Sequence, residues 1–377
     1  MKILYTGTLY LSAGGPAYST YHTMQGLNAL GEKTSVLMYD RGPSERLIGS
    51  NVDIIYAPPP IERTFAYSHS YKRLVRNCTD VDIYHAQGVW QYPTYALASV
   101  ARSLHKPYLI TPRGMLYPQD IAKSNTFFKK LSLRLRLLHD LNHAACVHVT
   151  CDDEMRYCRN LGVTAPICVI PNPVDVHISH SRKSDNTFRL GYLGRISRRK
   201  NVESLIYAWA ALGDKASAAE LLIIGGGDDD YMDFLQREVQ RLNLSNVRFT
   251  GFISGQEKED ALASLSVLAM PSEFENFGNV IVEALVRGIP CIATKGAPWQ
   301  DLQTHNCGWW VNFSQDAINN AVAQALDTPA DKLAEMGAHA ISLVNNKYSI
   351  ESVAQALLSV YNWIIAKADK PSCVSLI

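Results

Sequence analysis

Apolar positions along the chain recur in two rhythms. Short apolar runs bounded by Gly, Pro, Asn or Ser read as buried strands, and spacings of three and four read as helices. Ile3–Thr6 is the first such run. After it come Ser12-Ala13-Gly14-Gly15-Pro16 and a helical spacing through Tyr18, Tyr21, Met24, Leu27 and Leu30. Pro16 suits that helix's start and Gly31 its end. Strands are predicted at Thr34–Met38, Val52–Tyr56, Val81–Tyr84, Pro107–Thr111, Cys146–Val149 and Ile167–Ile170. They alternate with helices at Tyr67–Arg76, Thr94–Leu104 and up to Leu161, the last opened by a capping box at Thr150–Glu154. Pro171-Asn172-Pro173 breaks the pattern, and residues 176–187 are polar without period, as in a linker. The rhythm then restarts, with strands at Phe188–Leu193, Leu221–Ile224, Val247–Phe252, Val267–Met270 and Ile289–Thr294. Helices are predicted at Val202–Leu212, Tyr231–Leu242, Gln256–Leu265, Ser314–Ala325, Ala330–Asn345 and Ile350–Ala366. Such alternation predicts an α/β protein with a parallel sheet in each half. The expected division is 1–175, linker 176–187, 188–349, and a final helix and tail 350–377.

Composition supports two ordinary cores: 377 residues, 47% hydrophobic and 19% charged. A net charge of +1 gives no reason to expect nucleic acid as partner. The eight Cys form no CxxC pair, so reduced thiols of a cytoplasmic protein are expected. Met1–Tyr5 is too short for a signal-peptide core, and no window is apolar enough to span a membrane. Residues 123–139 mix Lys123, Lys129, Lys130, Arg134 and Arg136 with Phe127, Phe128 and several Leu. As a helix this segment is basic and amphipathic, and is expected to rest on an anionic membrane surface at the inner face.

Candidate chemistry gathers where strands end, because ligands of parallel sheets bind beyond the carboxyl ends. His85 and Arg113 follow two predicted strands of the first half. In the second half, Arg195, Arg198, Arg199 and Lys200 make a basic turn after one strand, and Gly225-Gly226-Gly227 ends the next. Pro271–Leu285 is a loop feeding a helix, with Glu275 in the loop and Glu283 in the helix. Cations and a helix start favour phosphate, and carboxylates accept hydrogen bonds from sugar hydroxyls. That combination suits a nucleotide sugar. The absence of GxGxxG argues against a dinucleotide oxidoreductase. Asp228-Asp229-Asp230 reads as the acidic start of a helix, and no metal is expected.

These residues resemble the retaining, GT-B-fold glycosyltransferases of family 4. The resemblance is carried by Gly14-Gly15, Gly194-Arg195 with Lys200, Gly225-Gly226-Gly227, Gly251-Phe252, and Glu275-Asn276-Phe277-Gly278 with Glu283, the family's E-x7-E motif. It implies two Rossmann-like β/α/β domains facing across a cleft, with the last helix returning to the first, acceptor-binding domain. It implies a donor diphosphate neutralised by Arg195 and Lys200, ribose held by Glu283, and the donor sugar held by Glu275. Backbone of Phe277, Gly278, Asn279 and Val280 would touch sugar and phosphate, Phe252-Ile253 would meet the base, and Gly226, Gly14 and Gly15 would line the donor site. Arg195, Lys200 and Glu275 are then the catalytic candidates, and His85 and Arg113 lie on the acceptor or sugar side. Two departures stand out: Asn276 where the family usually has Gly, and Arg113 where many relatives place a His. The expected reaction is transfer, with retention and without metal or cofactor, from a nucleotide sugar to a glycan or lipid-linked acceptor, as in bacterial surface polysaccharide assembly. A sugar-nucleotide epimerase of the same fold and a non-catalytic nucleotide-sugar-binding module are the alternatives.

Overall fold

Two parallel sheets organise the residues that the computed structural model describes, which are 1–49, 52–62, 64–122, 125–177 and 187–376. Most of the expected linker 176–187, and Lys123 and Ser124 of the basic segment, lie outside the described residues. Each sheet has its own unit: Met1–Pro173 with Tyr348–Ile377, and Val174–Lys347.

The first unit runs β1 (Lys2–Thr6), α1 (Gly15–Ala29), β2 (Lys33–Tyr39), β3 (Asp53–Ala57), α2 (His69–Asn77), β4 (Ile83–Gln87), α3 (Tyr92–Ser103) and β5 (Tyr108–Thr111). It continues with α4 (Pro118–Ala122), α5 (Thr126–Ser132), a wider helical turn at Leu133–Leu137, α6 (Leu138–Asn142), β6 (Cys146–Val149), α7 (Asp152–Asn160) and β7 (Ile167–Val169). The second unit holds β8 (Arg189–Leu193), α8 (Val202–Ala211), β9 (Glu220–Ile224), α9 (Asp229–Arg241), β10 (Val247–Gly251), α10 (Gly255–Ala263) and β11 (Val267–Met270). There follow α11 (Asn279–Leu285), β12 (Cys291–Thr294), α12 (Asp301–Thr304), β13 (Gly308–Val311), α13 (Gln315–Asp327) and α14 (Ala330–Leu343). Finally α15 (Ile350–Ile364) and the short β14 (Val374–Ser375) return to the first unit.

In the first sheet the order is β14-β7-β6-β5-β4-β1-β2-β3, parallel except for β14. The second is β10-β9-β8-β11-β12-β13, parallel throughout. Near-continuous apolar strands such as Leu221–Ile224 fit sheets covered on both faces. One face of the first sheet is packed by Met24 and Leu27 of α1 together with Val353, Leu357 and Tyr361 of α15. The two helices meet at Gly26, where a Cβ would sit 2.7 Å from the Ala354 Cβ. In the second unit α8, α9 and α13 bury Leu205, Leu235 and Val322 in one core.

Three expectations are corrected and one strand is added. The strand expected at Val81–Tyr84 extends to Gln87, so His85 lies inside β4 rather than beyond its end. The edge strand β13, a Trp-Trp run beside β12, is absent from the strands predicted above. At α7 the N-cap is Cys151, without a side-chain cap. Glu154 instead reaches Thr150, accepting from its amide at 2.9 Å and its hydroxyl at 3.0 Å, so only half of a capping box exists. The basic segment is not one regular helix but α5, a wider turn and α6.

A polar chain runs through the first core, and its direction follows from its end. His148 Nε2 lies 2.9 Å from the Ile170 carbonyl, so it must donate. Burial lowers the pKa of His148 to about 4 and that of His85 well below the usual value, so both rings are neutral. His148 Nδ1 therefore accepts from the Thr111 hydroxyl at 3.2 Å, which in turn accepts from His85 Nε2 at 2.7 Å. His85 Nδ1 then accepts from Tyr361 at 2.6 Å, and Tyr361 accepts from Tyr5 at 2.6 Å. Every proton has one place, and α15 is stitched to β1 and β4 by it.

The unfolded chain binds protons at these imidazoles at about pH 6.5, and the folded chain refuses them until well below. Stability is therefore complete above about pH 6.5 and falls as pH drops toward 4. Urea midpoints at pH 7 and pH 5 should show the loss, and Tyr361→Phe, which breaks the chain, should lower the midpoint at both. Equal midpoints at the two pH values would refute the neutral assignment.

Candidate functional site

In the second sheet the chain leaves central β8 in two directions, to β9 and β10 on one side and to β11, β12 and β13 on the other. The crevice at such a reversal opens at the carboxyl ends of the strands. Four turns leave that edge: 194–200 after β8, 225–228 after β9, 251–254 after β10 and 271–278 after β11. The first two are stitched by Gly194 N–H to Ile224 O at 3.0 Å, Ile196 N–H to Gly226 O at 2.9 Å and Asp228 N–H to Ile196 O at 3.1 Å. Gly227 permits this approach, because a Cβ there would lie 1.7 Å from the Ile196 carbonyl oxygen.

The edge holds a concavity of about 630 Å3. Of the expected donor residues it brings together Arg195, Gly226, Phe252, Ile253, Val280 and Glu283. It adds Asp228 and Lys258. Phe252 is 83% exposed, so its aromatic face lies open. Arg195 is exposed, with its carbonyl fixed by the Tyr192 hydroxyl at 2.8 Å. The basic turn therefore does not act as a block. Arg198 stacks over Tyr231 at 5.3 Å and Arg199 over Phe274 at 5.9 Å. Lys200 pairs with Glu275 outside the walls of the concavity.

Both carboxylates of the Glu275/Glu283 pair thus already hold an ammonium. Glu275 has Lys200, and Glu283 has Lys258 of α10 at 2.6 Å. Lys258 escaped the sequence reading. It sits in Glu257-Lys258-Glu259, which looks like a solvated helix face, and only the approach of α10 to α11 reveals it. The loop before α11 is fixed from below. Glu275 N–H donates to the Gly296 carbonyl at 2.8 Å, and Phe277 is buried with its ring 5.2 Å from that of Trp299. Gly278 caps α11 at φ 82°, the left-handed region, and Asn279 opens the helix. α11 has only seven residues, so its dipole is a weaker anion attractor than Arg195 and Lys200. Asp228 is the N-cap of α9 and Asp229 and Asp230 form its first turn.

The first unit has its own reversal, between β1 and β4. A concavity of about 140 Å3 lies there, lined by Gly7, Pro16, Gln87, Gly88 and Arg113 among others. Gly14 is the N-cap of α1 at φ 62°, and Gly15 begins the helix. Arg113 is held by Gln87 Oε1 at 2.8 Å, Ser19 Oγ at 2.6 Å, Asn172 Oδ1 at 2.8 Å and Thr20 Oγ1 at 3.2 Å. Burial pulls its pKa down to about 10, with the Glu154 carboxylate acting the other way, so it stays charged at neutral pH. Ser19 and Asn172, unremarkable in sequence, are what fix it. His85, expected beside it at a strand end, is 1% exposed and has both ring nitrogens engaged within the core.

Two family models match the chain. "Glycosyl transferases group 1" covers residues 175–342 and "Glycosyltransferase Family 4" covers 13–178. Among curated proteins the chain is 27% identical to a 2-deoxystreptamine N-acetyl-D-glucosaminyltransferase of Niallia circulans, over 61% of the chain and 62% of that protein. It is 30% identical to a GDP-mannose-dependent alpha-mannosyltransferase of Mycolicibacterium smegmatis, over 39% of the chain and 35% of that protein. The matched region thus spans less than two thirds of either relative. Among solved structures, Anabaena Alr3699/HepE in complex with UDP and glucose aligns with a TM-score of 0.73 at 19% identity, over 95% of this chain and 98% of that one.

Gly227→Ala forces a methyl group into the Ile196 carbonyl and pushes the two turns apart. The expected cost is about 1–3 kcal/mol of stability, read as a lower urea midpoint. An unchanged midpoint would show that the turns are not held by this contact.

Proposed function

Since the chain belongs to the family 4 glycosyltransferases of the GT-B type, we propose that it moves a sugar from a UDP- or GDP-linked donor to a hydroxyl of a glycan or lipid-linked acceptor. The observation that carries this reading is the concavity where Arg195 and the Glu283–Lys258 pair meet the Gly226 turn and Phe252-Ile253 at one sheet edge. Arg195 supplies positive charge for the diphosphate, with Lys200 beside it at the same edge. Glu283 accepts from ribose hydroxyls and Glu275 from hydroxyls of the donor sugar. The exposed face of Phe252 and the chain at Ile253 receive the base. UDP-glucose, UDP-N-acetylglucosamine and GDP-mannose are suitable first probes, because one relative is an N-acetyl-D-glucosaminyltransferase, another is GDP-mannose-dependent, and a solved neighbour is in complex with UDP and glucose.

Transfer proceeds with retention. The leaving diphosphate departs on the face that the acceptor hydroxyl attacks, and takes that hydroxyl's proton, so no protein base is needed. Arg195 and Lys200 stabilise the departing charge, and no metal or cofactor takes part. Arg113, pinned by four side chains at the edge of the first sheet, belongs to the acceptor side. The segment 126–137 carries Phe127, Phe128, Leu131 and Leu135 at 72%, 69%, 44% and 71% exposure beside exposed Lys130 and Arg134. That supports docking on an anionic membrane surface at the cytoplasmic face, and an acceptor used in surface polysaccharide assembly. Lys129 is turned inward, to the Asp120 carbonyl at 2.6 Å, and contributes less to docking.

A melting-temperature screen of nucleotide sugars tests the donor, since a ligand at 100 times its Kd stabilises by about 2.7 kcal/mol. Lys200→Ala should cut turnover on the order of 10²–10³-fold, and EDTA in the same assay should leave the rate unchanged. Full activity in Lys200→Ala would remove its assigned role, and activity lost to EDTA and regained with Mg²⁺ would overturn metal independence. The protein should bind vesicles containing phosphatidylglycerol, and Phe127→Glu with Phe128→Glu should abolish that binding. Equal retention by wild type and variant would refute docking through this segment.

A further inference from the structure

Away from both sheet edges' glycine turns, the first unit holds another concavity, of about 240 Å3. One wall is aromatic. Phe65, Tyr92 and Tyr95 cluster with ring centroids 5.7 Å and 5.4 Å from Phe65. Two cations share the lining: Lys72 of α2, and Arg136 of the wider turn after α5, whose guanidinium lies over the Tyr95 ring at 5.6 Å.

The charge there is not balanced. Lys72 Nζ donates to the neutral Ser99 hydroxyl at 2.9 Å, and among the described residues no carboxylate pairs with it. Arg136 Nε shares the buried Asp140 with Arg102, at 3.2 Å and 2.6 Å. Two guanidinium groups therefore share one carboxylate. Glu62, on the loop that carries Phe65, is already committed to the backbone amides of Thr64, Phe65 and Tyr67. An ammonium bonded only to a hydroxyl, beside a guanidinium that merely shares its carboxylate, leaves positive charge at the cavity wall that attracts an anion, and a fork beside a point charge matches the oxygens of a tetrahedral one. The Phe65 and Tyr92 rings of the same lining would lie idle against a bare inorganic ion. They offer stacking area to a sugar ring or contact area to a hydrocarbon chain.

Position adds a second argument. Tyr92, which lines this cavity, stands between Gln91 and Pro93, which line the Arg113 concavity, so the first turn of α3 separates the two. Ser132 and Arg136 lie on the same segment whose other side exposes Phe127, Phe128, Leu131 and Leu135.

We propose that this cavity binds a phosphate ester, with the phosphate between Lys72 and Arg136 and the first carbons of the ester against Phe65, Tyr92 and Tyr95. Calling that ester part of the acceptor rests on the glycosyltransferase reading above. It makes the acceptor a phosphorylated molecule anchored one helical turn from the concavity beside Arg113.

Isothermal titration of the full chain with inorganic phosphate, glucose 1-phosphate, farnesyl phosphate and glucuronate tests this. At least one ester should bind about tenfold or more tightly than inorganic phosphate, and Lys72→Met and Arg136→Met should each weaken it about tenfold or more. Preference for glucose 1-phosphate marks a sugar phosphate, and preference for farnesyl phosphate marks a lipid phosphate. No ester binding at about 1 mM, glucuronate binding as tightly as the esters, or affinity unchanged in both variants would overturn the proposal. Should Lys72→Met melt well below wild type, Arg136→Met decides, because Arg136 is exposed. UDP and GDP titrated into wild type separate the two ideas: nucleotide binding without ester binding removes only the cavity, and loss of both removes the glycosyltransferase reading with it.

Discussion

Every strand of the second sheet runs the same way, and the site follows from that constraint. A parallel sheet sends all its carboxyl ends to one edge, so turns far apart in sequence must emerge together. Residues 194–200, 225–228, 251–254 and 271–278 share an edge because β8, β9, β10 and β11 are neighbours in register. The reversal at β8 keeps the edge open between them. What decides how closely the turns approach is the lack of a side chain at Gly227, where a single methyl would meet a carbonyl. The concavity is thus set by backbone, and side chains tune it.

The tuning is electrostatic. A half-buried carboxylate is costly unless paired, and here Glu275 and Glu283 each have a lysine. The pairs hold both carboxylates in place. They also set the terms of binding, since a hydroxyl that reaches Glu283 competes with Lys258. Arg195, by contrast, is exposed at the rim and is the cation most open to an incoming anion. The six-residue basic turn looked like one cluster in sequence, and the fold distributes it: one cation to the concavity, two onto aromatic rings, one to a carboxylate.

The first unit shows the opposite use of polar groups. Tyr5, Tyr361, His85, Thr111 and His148 are buried, and their protons run in one direction to the Ile170 carbonyl. Such a chain specifies a single packing of α15 against the sheet, because any slip leaves a buried donor or acceptor unmet. Arg113 gains rigidity at the sheet edge in a similar way, held in a left-handed backbone conformation by four side-chain partners.

Much of this was legible in the sequence. The alternation of short apolar runs with amphipathic spacings is a local signal, so strand order along the chain, the two parallel sheets and the glycine turns could be read directly. Gly225-Gly226-Gly227, Arg195 and Glu283 could be placed at one edge from the parallel rule alone. What could not be read depends on partners distant in sequence. His85 looked like a strand-end ligand because its partner, Tyr361, lies 276 residues away. Lys258 looked like solvated charge because α11 was needed to bring Glu283 to it. Periodicity records which face a residue presents, and only the packed structure decides what that face meets.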